Sequence, residues 1–179
     1  MMNMPSPALR APDDIRIRGR ENADWPAIAA ICRAQTPEIN PLELPYFADD
    51  YAHQVIGDAP DNQQRFGLVA ELNGVVVGSV DLSRGWGRTR HTGTLERFVV
   101  GPQVQGRGVG SLLLGALVDL AENWLNLSRL RSLIVVDNAP AISLHRKFGF
   151  VIEGKLHDYA YRNGRYVDVY VVARVRESY

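Results

Sequence analysis

Gln105-Gly106-Arg107-Gly108-Val109-Gly110 is the stretch whose reading decides this chain. It follows Thr94 to Val100, a stretch with strand character stopped by Gly101-Pro102. After it, Val109, Leu112, Leu113, Ala116, Leu117, Leu120, Ala121 and Trp124 recur at spacings of three and four, the period of an amphipathic helix. A strand, a turn with three alternate glycines and a helix therefore come in sequence. Glycine lets a backbone turn sharply and approach a ligand closely. The free N–H groups of a helix start attract anions, and Arg107 adds positive charge. The segment reads either as a phosphate cradle or as a tight strand-to-helix turn. Two commoner phosphate motifs fail here. A P-loop places Lys and Ser/Thr after its last glycine, where this chain has Arg107-Gly108. A dinucleotide fingerprint ends in a third glycine where Ser111 stands.

The flanking sequence sets the architecture. Ile15-Arg16-Ile17-Arg18 alternates as a strand, and Asp24 followed by Pro26 starts a helix whose face carries Ile28, Ile31 and Cys32. Residues 36–64 hold Pro37, Pro41, Pro45 and Pro60 among aromatics and predict short helices and loops. Asn73-Gly74 between apolar runs at 66–72 and 75–82 predicts a hairpin. Residues 83–91 read as a loop. Arg131 to Val136 is a short buried strand, and Asn138 caps a helix with Pro140 in its first turn and Gly149 beyond its end. Asn163-Gly164 makes a second hairpin between 156–162 and 165–174. The predicted class is α+β (mixed α/β), with one largely antiparallel sheet and helices around it. Residues 1–12, rich in Pro and small side chains, are expected as a mobile tail, and 13–179 as one domain.

Composition narrows the functional classes. Twenty basic and 20 acidic residues give zero formal net charge, so no nucleic-acid or anionic-membrane partner is expected and any anion site must be local. Cys32 is the single cysteine, which excludes an intrachain disulfide and a cysteine-based zinc cluster. His53, His91 and His157 show no metal-ligand spacing, so no metal is expected. No apolar run approaches a membrane span, and the first residues lack a long apolar segment. A cytoplasmic location is the expectation.

The sequence resembles the GNAT superfamily of N-acetyltransferases. Residues 105–110 match its [R/Q]-x-x-G-x-[G/A] signature, and Leu95-Glu96-Arg97-Phe98-Val99-Val100 is similar to the family's fourth strand. Asn138-Ala139-Pro140-Ala141-Ile142-Ser143-Leu144-His145-Arg146-Lys147-Phe148-Gly149-Phe150 is similar to its second linked motif. Within the family the likeness is to bacterial L-amino-acid N-acetyltransferases and phosphinothricin-acetyltransferase-like enzymes. It is carried by Asn123-Trp124-Leu125, residues 136–142 and residues 162–170. The resemblance implies a sheet splayed at the cofactor site and acetyl-CoA as co-substrate. It implies that the backbone of Phe98, Val99 and Val100 holds the pantetheine arm, and that Gln105, Gly106, Arg107, Gly108, Val109, Gly110 and Ser111 hold the pyrophosphate. Asn138 is implied as a further hydrogen-bonding contact.

Such chemistry needs a base, because an alkyl amine with a pKa of about 10 is protonated at neutral pH, and donors for the oxyanion. Glu96 is the candidate base. Its alternative is a surface or salt-bridged strand residue, paired with Arg97 and aimed away from the site by strand alternation, which a bulge would reverse. His145, where many relatives have Tyr, is the candidate acid or base, its alternative a packed helix-face residue. Trp86 with Arg84, Arg88 and Arg90 forms a basic loop that either is solvated or touches the 3′-phosphate or an acidic substrate. Residues 35–51 are expected as the acceptor-side wall, and Cys32 as core. The leading function is acetyl transfer to the α-amine of an L-amino acid or analogue. The alternatives are a protein N-terminus, polyamine or antibiotic as acceptor, or a non-catalytic CoA-binding sensor. A homodimer formed through an exposed hairpin strand at 167–172 is a further expectation.

Overall fold

A computed structural model describes residues 15–35 and 64–176. The expected tail, the irregular region 36–63 with His53, and most of the acceptor-side wall lie outside the described residues. Seven strands form one sheet: β1 (Ile15–Gly19), β2 (Arg65–Leu72), β3 (Val75–Arg84), β4 (Thr92–Val100), β5 (Arg129–Val135), β6 (Val151–Arg162) and β7 (Arg165–Val175), ordered β1-β2-β3-β4-β5-β7-β6. All neighbours pair antiparallel except β4 and β5. Among the described residues three α-helices flank it: α1 (Trp25–Ala34), α2 (Val109–Asp119) and α3 (Ala139–Lys147). This is the α+β class expected.

Both hairpins follow from their dipeptides. Asn73 and Gly74 have φ of 50° and 78°, and Asn163 and Gly164 repeat those values. Two successive positive φ angles define the turn whose twist suits a two-residue hairpin, and Asn-Gly adopts it most readily. The hairpin strand expected to be exposed is not. β7 lies between β5 and β6, and its Val167, Val169 and Val172 are buried. The edge strand at this end of the sheet is β6, which exposes Val151, Leu156, Tyr159 and Tyr161.

Each sheet face has its own core. Leu82, Leu95, Leu130 and Val172 pack with Leu113, Leu114 and Leu117 of α2 in the larger one. On the other face α1 packs Trp25, Ile28, Ile31 and Cys32 against Val69, Val76 and Val99. Cys32 is thus the core residue expected. Fully burying a leucine stabilises by about 1.5–3 kcal/mol, so α2 is anchored chiefly by Leu113, Leu114 and Leu117. The expected stripe fails at its last position, where Trp124 is 77% exposed. Residues Leu120–Trp124 are wound as a π-helix, with Leu125 N–H bonded to Leu120 C=O at 3.0 Å. The wider turn rotates Trp124 out of the stripe, and Leu127 fills the interior instead.

The feature that shapes the site is where β4 and β5 meet. They run parallel and pair only at Thr92↔Arg129, Gly93↔Leu130 and Thr94↔Arg131. β4 then continues to Val100 and β5 to Val135 without further pairing, so a wedge-shaped gap opens in mid-sheet. A bulge in β4 accompanies the parting: Val99 pairs with Ser79 and Glu96 with Asp81, leaving Arg97 and Phe98 opposite Val80 alone. Arg97 takes a φ of 44° to make it. A bulge adds local twist and changes which face the later residues address. Leu95, before it, and Phe98 and Val100, after it, all pack on the α2 side, whereas Val99 packs under α1. Strict alternation would have turned Arg97 into the apolar core.

Candidate active site

The gap ends at the turn singled out in the sequence. Gly101 N–H donates to Val77 C=O of β3 at 2.8 Å. A trans peptide holds the Val100 carbonyl opposite that N–H, so Val100 C=O points away from β3 and into the gap. By alternation, Phe98 presents its backbone on the same side. Of the residues expected to border an extended ligand arm, Phe98 and Val100 offer backbone to the gap. Val99 instead turns its backbone to β3 and its side chain to α1.

The glycines divide their work. Gly106 and Gly108 have φ of 74° and 85°, a region costly for residues with a Cβ, and a Cβ there would meet nothing within 4 Å. The outer surface of the turn is therefore open. Gly108 is the N-cap of α2, and no side chain caps that helix start. Its first N–H groups remain for an anion, assisted by the helix dipole. Gly110 serves packing: a Cβ there would lie 3.2 Å from Leu144 of α3. Close approach of α3 brings Lys147 Nζ within 3.4 Å of Ser111 Oγ, placing a second cation beside Arg107 at the helix start. Lys147 was missed as a site residue because its contact spans 36 residues of chain. An extended thiol-carrying arm with a diphosphate fits this arrangement: strand-edge carbonyl, open glycine turn, uncapped helix start, two nearby cations. Asn138, at the C-terminal end of β5, accepts a hydrogen bond from Ala141 N–H at 3.1 Å, which commits its Oδ1 to capping α3.

Glu96 and His145 lie on opposite faces of β4. Glu96 precedes the bulge and pairs across with Asp81, so both face the α1 side. Its Oε2 accepts from Ser83 Oγ at 3.0 Å and lies 3.7 Å from Arg65 Nη2. The expected partner Arg97 goes elsewhere, to Asp81 Oδ2 at 2.8 and 3.0 Å. Asp81 is buried between Arg97 and Arg20, and Arg20 lies over the Trp25 ring. His145 is on the other side, 3% exposed, its ring edge-on to Phe98 and Phe150 with centroids at 6.1 and 5.1 Å. Its Nδ1 lies 2.9 Å from Ala141 C=O, an acceptor only, so Nδ1 carries the hydrogen. Nε2 is then a bare lone pair, buried and without a partner among the described residues. Burial pushes the imidazole pKa below its ordinary value, against a smaller opposing effect of the Ala141 hydrogen bond. The ring is held neutral, as a hydrogen-bond acceptor at Nε2.

The basic loop lies far from this site. Trp86, Arg88 and Arg90 precede β4, whereas the glycine turn follows it, about 26 Å further along at strand rise. Trp86 is exposed. Among the described residues no group of His, Cys, Asp and Glu could hold a metal ion, and no helix is long and apolar enough to cross a membrane.

Residues 25–150 match the family model described as Acetyltransferase (GNAT) family. The chain is 36% identical over 166 residues to the L-amino acid N-acetyltransferase AaaT of Escherichia coli, covering 91% of this chain and 99% of that one. It is 30% identical to a spermidine N(1)-acetyltransferase of Vibrio cholerae over 72% of this chain and 73% of the relative. A Salmonella typhimurium acetyltransferase solved with its cofactor acetyl-CoA superposes with a TM-score of 0.74 and 26% identity, covering 93% of this chain and 96% of that one.

Proposed function

The chain belongs to the GNAT acetyltransferase family, and on that premise we propose that it transfers acetyl from acetyl-CoA to the α-amine of a small L-amino acid or close analogue. One observation carries the reaction class: the β4/β5 gap opens beside the uncapped, glycine-turned start of α2. The acceptor class is supported by likeness to the Escherichia coli L-amino acid enzyme over nearly the whole of both chains. The second reading, a polyamine acceptor, draws on the spermidine enzyme.

In this reading the cofactor supplies an acetyl thioester. The backbone of residues 98–100 borders the pantetheine arm, and residues 105–111 with Lys147 hold the diphosphate. Asn138 caps α3 beside the gap and gives the cofactor a further hydrogen bond. Glu96 acts from the α1 face, drawing a proton, through water, from the incoming ammonium group. Once neutral, the amine nitrogen forms the amide bond as the carbon–sulfur bond breaks, and the sulfur gains the second proton that nitrogen loses. His145, neutral with its lone pair at Nε2, receives a hydrogen bond from the thiol so formed. It acts as an acceptor and not as the acid, because Nδ1 holds its only proton. A homodimer formed through the second hairpin stays within the proposal, with β6 replacing β7 as the joining strand; sedimentation at micromolar concentration tests it.

The deciding experiment measures thiol release from acetyl-CoA against a panel of L-amino acids, spermidine and an N-terminal alanyl peptide. The proposal expects the highest kcat/KM with an amino acid. Preference for spermidine would install the second reading. CoA binding without turnover on any amine would replace both with a sensor function.

A further inference from the structure

At the end of β4 two glutamine side chains from distant parts of the chain meet on one carbonyl. Gln35, the C-cap of α1, donates from Nε2 to Val100 C=O at 2.9 Å and to Ile31 C=O at 3.2 Å. Gln105, first residue of the glycine turn, donates from Nε2 to Val100 C=O at 3.0 Å and to Gln35 Oε1 at 3.2 Å. A carboxamide nitrogen has two hydrogens and a carbonyl oxygen two lone pairs. Both glutamine nitrogens are therefore fully used, and so is the Val100 oxygen. Val100 C=O is also the acceptor that faces into the gap. Any amide N–H laid along β4 to pair with it must displace one of the two.

We propose that Gln35 is a positioning residue that competes with the cofactor: its amide holds the Val100 carbonyl and must release it when the pantetheine arm pairs with β4. Gln35 is the one to leave. It keeps its second bond, to Ile31 in its own helix, whereas Gln105 belongs to the turn that the diphosphate fixes. The exchange links the end of α1, on the face where Glu96 lies, to occupancy of the gap on which α3 borders. This rests on the acetyl-CoA reading above.

The test is isothermal titration of free CoA, without acceptor, into the full chain and into Gln35→Ala and Gln35→Met. Met keeps the length of the side chain and removes the donor. Loss of one competing hydrogen bond corresponds to tighter binding by roughly 2- to 12-fold. Both variants should tighten CoA by that factor, with unchanged stoichiometry. A merely structural glutamine predicts the opposite sign, since loosening the site weakens binding. Unchanged or weaker affinity in Gln35→Met, with melting behaviour like the parent's, overturns the inference and leaves the acetyltransferase reading standing. Absence of CoA binding by the unmodified chain overturns both.

Discussion

Replacing His145 by leucine should make the protein less sensitive to acid. The native imidazole is depressed by burial and has no partner at Nε2 among the described residues. In the unfolded chain the same group takes up a proton below about pH 6.5. The sign follows from linkage. Below that pH the unfolded state binds more protons than the native state, so stability falls as pH falls. The slope approaches ~1.4 kcal/mol per pH unit for one group. Between pH 7.5 and 5.0 this accumulates to at most about 2 kcal/mol, reached if the native ring stays neutral throughout. For a chain of this length that is roughly 4–8 °C in melting temperature. Urea unfolding at the two pH values, for the parent and for His145→Leu, measures it, because the carboxylates common to both cancel in the double difference. The parent should lose up to about 2 kcal/mol more than the variant on acidification. Equal losses would refute a neutral buried His145, and with it the acceptor role assigned to Nε2.

Other perturbations test the rest of the site. Glu96→Gln should lower kcat by roughly 10²–10⁴-fold, while CoA affinity by titration stays near the parent's. Gly108→Ala places a Cβ at a φ of 85°, which costs roughly 1–2 kcal/mol, but meets no atom within 4 Å; melting should fall by a few degrees and CoA affinity by tenfold or more. Gly93→Ala would push a Cβ to within 2.8–2.9 Å of Leu82, Leu127 and Leu130 where β4 and β5 join, and should lower unfolding free energy by about 1–3 kcal/mol in a urea titration.

What the sequence could reveal was local. Asn73-Gly74 and Asn163-Gly164 made hairpins because turn type depends on two adjacent φ angles. The apolar period located α2, and the glycines located its start, because helix phase and backbone freedom are written within one or two turns. The same local reading failed at Trp124, where one extra residue per turn changed the phase, and at 167–172, where an apolar strand could not reveal which side of the sheet it would occupy. β4 does carry a bulge, but its effect fell on the residues after Glu96 and left Glu96 facing α1.

By itself, then, the sequence determined an α+β chain with a glycine-rich strand-to-helix turn after its fourth strand, and the family whose motifs it carries. Only the tertiary structure decided that β4 and β5 part after three pairs, that Glu96 and His145 lie on opposite faces, and that His145 keeps its proton on Nδ1. Only it brought Gln35 onto the carbonyl of Val100, 65 residues away. The reason is range. Turns and helix phase follow from neighbouring dihedral angles. Strand partners, burial and the tautomer of a buried ring follow from contacts between segments that meet only when the whole core closes.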